Sequence, residues 1–201
     1  MTKMTLPALN RDFDADAECR QRLEELRWPN GVECPRCQSK KISCIKTRKQ
    51  YDCDSCRYRF SVTVGTIFAD SHLALPKWFL ATFIICESKK GISALQLKRM
   101  LGCGYQTAWY LSHRIRAAMT DTNSEPLSRT VEVDETHVES VFSRFKRAIV
   151  GSFHQVSKKH LDRYLGEFEF RFNNRKNPYL FRDTLIRLLE AKTLPYEQLT
   201  A

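Results

Sequence analysis

No long apolar run interrupts this sequence. Its longest, Trp78 to Cys86, falls far short of the ~20 residues a membrane-spanning helix needs, so no membrane partner is expected. An apolar leader is missing too. Residues 11–25 carry Asp12, Asp14, Asp16, Glu18, Glu24 and Glu25, and no secretory signal is expected. Acidic residues are the scarcer charge, 23 against 33 Lys and Arg, leaving a net charge of +10 and a pI near 9.3. That balance favours a polyanionic partner such as nucleic acid. No internal repeat or low-complexity tract appears. A length of 201 residues allows one or two ordinary domains or three small ones. Among the cysteines, Cys19, Cys44, Cys86 and Cys103 show no paired spacing. They read as reduced thiols of a cytoplasmic protein.

The remaining cysteines form two knuckles, Cys34-Pro-Arg-Cys37 and Cys53-Asp-Ser-Cys56. Two C-x2-C pairs at this separation are the spacing of a four-thiolate zinc ribbon. Tetrahedral Zn²⁺ would close a module too small to hold itself by apolar burial. The plainer alternatives are disulfides or unrelated thiols. Arg36, Lys40, Lys41, Lys46, Arg48, Lys49, Arg57 and Arg59 lie between Cys34 and Phe60, against only Asp52 and Asp54. A basic, zinc-stapled hairpin points to nucleic acid.

Helical signals dominate elsewhere. Ala15 to Arg27 is helix-compatible and Pro29-Asn30-Gly31 ends it, giving a helical leader over 1–31 and a ribbon over 32–62. Residues 65–75 read as a connector. Pro76 opens a core helix over 77–88. Ser93 caps a helix over 94–101, Gly102-Cys103-Gly104 turns the chain, and a further helix runs from Tyr105 to Met119. Helix, glycine turn, helix is the arrangement of a helix-turn-helix, here assigned to 76–119; a plain helical hairpin is the alternative. In that arrangement Gln106, Thr107, Trp109 and Tyr110, with Tyr105, face base edges. Arg114 and Arg116 would meet phosphates, with Lys98 and Arg99 on the preceding helix. Leu97, Met100, Leu101, Ala108, Leu111 and Ile115 would pack the inner faces. Thr130 to Thr136 reads as a short strand ending at Asp134. Helices follow over 137–149, 157–172 and 179–192, the second burying Leu161, Tyr164, Leu165, Phe168 and Phe172.

The order of these motifs carries a resemblance. After the ribbon come Gly65-Thr-Ile-Phe, Pro76-Lys-Trp-Phe, the helix-turn-helix, and Val131-Glu-Val-Asp-Glu-Thr. Then follow Glu139-Ser-x-Phe with Lys146-Arg, and Glu167-Phe-x-Phe-Arg171-x-Asn173-x-Arg175. This resembles bacterial insertion-sequence transposases of the ISXO-like group from about residue 10 to 192. The resemblance implies a DNA-binding N-terminal part that recognises the element's terminal repeats. It also implies an RNase H-like domain that cuts and rejoins DNA with Mg²⁺. On that likeness Asp134 is the first catalytic carboxylate, and Glu139 and Lys146 are the acidic and basic positions of the late catalytic helix. Glu167, Arg171 and Arg175 match the late Glu/Arg signature; at i, i+4 and i+8 they read equally as an internal ladder. An Asp ending a strand is otherwise a cap or turn former.

One departure is large. The family separates the Asp134 strand from the Glu139 helix by a long middle segment with further strands and a second Asp; here five positions separate the two residues. Asp162 and Asp183 match nothing. The expected fold is therefore α+β and mostly helical: a small N-terminal zinc ribbon, a helix-turn-helix domain, and a truncated RNase H-like remnant over 129–192. The expected function is binding to insertion-sequence ends, with the Mg²⁺ reaction lost through an internal deletion. Self-association or association with full-length transposase would follow from the family's paired assemblies. The alternatives are a stand-alone zinc-ribbon regulator, or a non-functional pseudogene product.

Overall fold

A computed structural model describes residues 4–120, 146–153 and 156–200 of the chain. Helix α1 (Leu6–Asp12) is capped by Thr5, whose hydroxyl accepts from the Ala8 N–H at 3.4 Å. Helix α2 (Asp16–Arg27) starts where the Glu18 carboxylate accepts from the Ala15 N–H at 2.9 Å, with Asp16 and Glu18 at its positive end. Strands β1 (Ile42–Ile45), β2 (Gln50–Cys53) and β3 (Arg59–Phe60) form an antiparallel sheet in that order, with Ile42 opposite Cys53 and Tyr51 opposite Phe60. It is the only sheet among the described residues.

Helix α3 (Leu75–Glu87) opens on Pro76 and buries nine of its thirteen residues, as its all-round apolar sequence requires. Helix α4 (Ala94–Leu101) begins at Ser93, which accepts from the Gln96 N–H at 3.2 Å, and stops at Gly102. Gly102 takes φ +58°, a left-handed conformation that lets the Cys103 N–H reach the Lys98 carbonyl at 3.3 Å. Helix α5 (Tyr105–Met119) follows at once. After a π-helical turn at Ile149–Phe153 and a 3-10 turn at Lys158–His160 come α6 (Leu161–Asn173), α7 (Leu180–Glu190) and α8 (Tyr196–Thr200).

One apolar core joins nearly all of these helices. Leu9 of α1 and Cys19 and Leu23 of α2 pack with Trp78, Phe79 and Ile85 of α3. Leu97, Leu111 and Ile115 of the α4–α5 unit, Phe170 of α6 and Leu185 and Leu188 of α7 belong to the same core. The leader and the C-terminal helices thus enclose the α3–α5 unit. The connector after Gly65 is also internal: Thr66, Ile67 and Phe68 are buried, and the Ile67 N–H donates to the Leu188 carbonyl at 3.3 Å. Phe168 and Phe170 are covered. No helix among the described residues is long and apolar enough to cross a membrane.

Helices α5 and α6 approach closely at Gly166. A Cβ there would stand 2.5 Å from Thr120 Oγ1 and 2.9 Å from its Cγ2. Alanine would otherwise favour a helix interior by about 1 kcal/mol over glycine, so the sign reports the contact. Gly166→Ala is expected to destabilise by about 1–3 kcal/mol through overpacking. A thermal melt unchanged or raised in that variant would show that Thr120 yields.

Two expected packing positions differ. Met100 is 50% exposed and Leu165 39% exposed. Helix α6 is rotated relative to the expected face because Glu167 and Arg171 occupy its buried side, drawn there by ionic partners the apolar pattern does not show.

Candidate metal centre and nucleic-acid interface

The two knuckles are built alike. In the first, the Gln38 N–H returns to the Cys34 carbonyl at 2.9 Å; in the second, the Arg57 N–H returns to the Cys53 carbonyl at 2.8 Å. Gln38 (φ 58°) and Arg57 (φ 56°), one residue past each second cysteine, are both left-handed. Strain of this kind in non-glycine residues persists where the surroundings over-determine it. The turns bring four sulfurs together: Cys34 to Cys56 at 3.6 Å and Cys37 to Cys53 at 3.5 Å, with all four within 4.8 Å of one another. A tetrahedron with Zn–S bonds of about 2.3 Å has edges slightly longer than these contacts, so the donor set fits Zn²⁺. Desolvation opposes ionisation of Cys53, but the Cys56 N–H, the Cys37 thiol and the Ser55 N–H bring its thiol down to about 7. Cys44 is exposed and outside the cluster. Burial pushes Cys19 and Cys86 up to about 12, which leaves them unreactive.

The ribbon's own core is small: Cys34, Cys53 and Phe60 are buried, with Trp28, Tyr51 and Tyr58 packed against them. Trp28 touches both this cluster and the helical core, at 5.6 Å from Tyr51 and 5.9 Å from Phe60 between ring centroids. The Arg27 guanidinium covers Trp28 and donates to the Val62 carbonyl. Several of the ribbon's cations meet carboxylates: Lys40 with Glu33 at 3.2 Å, Lys49 with Asp16 at 3.7 Å, Arg59 with Asp52 at 3.9 Å. These pairs are largely solvent-exposed and each is worth little.

On the α4–α5 unit, the sequence-predicted contact residues separate into two groups. Lys98, Arg99, Gln106 and Thr107 are exposed, and Tyr105 beside them is 47% exposed. Tyr105, Gln106 and Thr107 form the first turn of α5, which no side chain caps. Trp109 instead turns inward, its ring 4.4 Å from His113 and 5.6 Å from His160. The Tyr110 hydroxyl donates to the Leu194 carbonyl at 2.5 Å. Arg114 and Arg116 do not reach phosphates, because both are buried. Arg114 donates to the carbonyls of Ile67 and Ala69, the latter at 2.7 Å, and lies over Trp78 and Tyr110. It holds the connector after Gly65 in the core.

Arg116 pairs with Glu167 at 2.5 Å and also donates to Ser112 Oγ at 3.0 Å and the Ile92 carbonyl at 3.2 Å. Glu167 reaches Arg171 at 2.9 Å, and Arg171 donates to the Ser88 carbonyl. The result is an Arg–Glu–Arg triad joining α5, α6 and the end of α3. Of the expected ladder only the Glu167–Arg171 rung forms. Arg175 is exposed and stacks on Phe172 at 4.3 Å, donating to its carbonyl. The pairing of Arg116 with Glu167 escaped sequence reading; the available signal was an arginine among the inward positions of α5.

Asp134 and Glu139, with the expected strand at 130–136, lie outside the described residues. Lys146 is helical and exposed. Asp162 is exposed, and Asp183 bonds Arg182 and Asn177. Among the described residues the four cysteines are the only group of three or more side chains placed to share a metal ion.

Two family models match, together covering more than half of the chain. Residues 14–59 match a transposase zinc-ribbon domain, and residues 102–173 match an ISXO2-like transposase domain. Both matches are to transposase domains of insertion sequences. A relative in Halobacterium salinarum, described as an uncharacterized protein in transposable element ISH50, is 29% identical over 133 residues, 65% of this chain. The chain spans 44% of that relative's length. No solved structure matches. The zinc-ribbon match encloses the four cysteines. The transposase-domain match runs from Gly102 through α5 to the end of α6, so it contains the Arg116–Glu167–Arg171 triad.

Proposed function

We propose that this ISXO2-like chain binds the terminal repeats of an insertion sequence and has lost DNA cleavage and strand transfer. The observation that carries the reading is the exposed polar turn at the start of α5. Gln106 and Thr107 are exposed there, as are Lys98 and Arg99 of α4, which ends at the left-handed Gly102. A helix presented in this way offers its first turn to base edges in a major groove. The ribbon's cations supply contacts to the phosphate backbone, which makes binding steeply salt-dependent.

The lost chemistry rests on the sequence. Two-metal nucleotidyl transfer needs carboxylates converging on ions about 3.5–4 Å apart. Asp134 and Glu139 supply two, and the few positions between them leave no room for the strands that carry the family's second Asp. An internal deletion accounts for both the short segment and the missing residue. Helices α6 and α7 close the core around α3 and α5, so their retention serves the DNA-binding unit itself. Such a protein would compete with full-length transposase for element ends, alone or in mixed assemblies.

The test is a gel assay with zinc-loaded protein, Mg²⁺ and labelled DNA from the repeats flanking the gene. A shifted band without cleavage is expected; cleavage at the repeat end overturns the loss of catalysis, and no shift overturns end recognition. Gln106→Ala or Thr107→Ala should cost about 1–3 kcal/mol of discrimination at one base position. Lys98→Ala or Arg99→Ala should weaken binding to all sequences and reduce the salt slope by about 1. Equal binding by all four variants would mean that α5 is not the reading helix.

A further inference from the structure

Beside the start of α6, a cavity of about 510 Å³ is lined by Trp109, His113, Val156, Ser157, His160 and Tyr164. Four nitrogens in or next to it have no hydrogen-bond partner among the described residues: both ring nitrogens of His113, Nδ1 of His160 and one terminal nitrogen of Arg163. His113 is fully buried. The two imidazoles lie 4.6 Å apart between centroids, with Trp109 at 4.4 Å and Tyr164 at 5.6 Å from His113 closing the walls. Buried polar groups without partners are rare and costly, and four at one place call for a ligand with several hydrogen-bonding atoms.

The surrounding charge selects the kind of ligand. Arg116 of α5, Arg163 of α6 and Lys159 of the 3-10 turn all act on the histidines with positive charge. The nearby carboxylate, Glu167, is engaged by Arg116 and Arg171, and Asp162 is exposed. A metal cation would be repelled. An oxyanion would find donors in two imidazoles, a guanidinium and the Ser157 hydroxyl, the last also lining the cavity. We propose that this cavity binds a phosphate group, held by His113, His160, Arg163 and Ser157.

Proton uptake accompanies such binding. With no anion present, burial first, then Arg116, His160 and Arg163, hold His113 down at about 3, while burial and then Arg163 and Lys159 lower His160. An oxyanion opposes the repulsive part and draws protons onto the rings. Affinity then rises as pH falls, by about tenfold per pH unit for each proton taken up. The unliganded fold shows the opposite trend. His113 titrates lower in the folded chain than its ordinary 6.5, so its contribution to stability is intact at neutral pH and declines as acid protonates the unfolded chain. Phosphate binding should therefore protect the fold most at mildly acidic pH.

The phosphate has two possible sources, a DNA backbone diester or the monoester of a free nucleotide. Trp109 lies one helical turn beyond Gln106, which brings the cavity close to the proposed base-reading turn. The inference goes beyond the end-recognition reading and stands without it. Zinc-loaded full chain, titrated with dimethyl phosphate and with dAMP at pH 5.5 and 7.5, would be followed by imidazole ¹H–¹⁵N spectra. Saturable shifts of two imidazoles, at least tenfold tighter at the lower pH with the preferred probe, are expected. Preference for the diester assigns the backbone, and preference for dAMP the nucleotide. His113→Gln risks the fold, so His160→Gln and Ser157→Ala, checked for helix content by circular dichroism, should each weaken binding, His160→Gln by at least tenfold. Shifts no greater than those caused by sodium chloride at matched ionic strength would overturn the site. So would equal affinity at the two pH values.

Discussion

Glu167→Gln is expected to destabilise the chain by about 3–5 kcal/mol, because it leaves two buried guanidinium groups without their shared counter-charge. For a chain of this size that is a drop of roughly 10–15 °C in melting temperature. The Glu167 and Arg116 side chains are each 1% exposed and Arg171 is 8% exposed. Neither arginine can turn to solvent without opening the α5–α6 contact. The glutamine keeps the shape and some hydrogen bonding, so the loss isolates the charge. Arg116 would retain Ser112 Oγ and the Ile92 carbonyl, and Arg171 the Ser88 carbonyl. Those dipoles soften the penalty without cancelling it. Replacing all three members with methionine should recover much of the lost stability, since a buried ion pair is costly to break and often cheap to replace whole. Circular dichroism melts of the single and triple variants measure both effects. A change under about 1 kcal/mol for Glu167→Gln would mean that water screens the triad.

Removing zinc should have an effect of a different kind, total within the ribbon and small outside it. Structural zinc contributes about 10–16 kcal/mol of apparent binding energy in isolated finger peptides, comparable with or larger than a whole domain's stability. The ribbon's own cluster buries Cys34, Cys53 and Phe60 alone among its described residues, too little apolar surface to hold its three strands without metal. The helical core has its own buried residues on α2, α3, α5 and α7 and does not draw on the sheet. Chelation, or Cys34→Ser, should release one zinc per chain and expose residues 32–62 to protease. The helical circular dichroism signal should persist. Trp28, seated between the two clusters, should report the change by fluorescence. Full retention of zinc by Cys34→Ser would contradict the ligand set. Loss of helical signal on chelation would show that the core depends on the ribbon through Trp28 and Arg27.

What the sequence determined by itself is local. The knuckle spacing sets a four-sulfur cluster because each C-x2-C turn needs only its own backbone hydrogen bonds. The bounds of α4 and α5 follow from Ser93, Gly102 and Gly104, whose capping and turn preferences act within one helical turn. The order of the motifs carried the resemblance to ISXO-like transposases, and the two domain matches agree with it. What only the tertiary structure decided is which charged side chains face inward. Arg114 and Arg116 have the composition of phosphate ligands, and nothing near them in sequence says otherwise. Their partners are Ile67 and Ala69, 47 and 45 residues away, and Glu167, 51 residues away. Burial of a cation depends on whether a distant acceptor arrives at the same place, and that is settled by how α3, α5, α6 and α7 pack. The same packing put Thr66 to Phe68 in the core, turned Leu165 outward, and enclosed the two histidines with their unpartnered nitrogens. Apolar periodicity carries no record of such meetings, because it describes each helix against an unspecified interior.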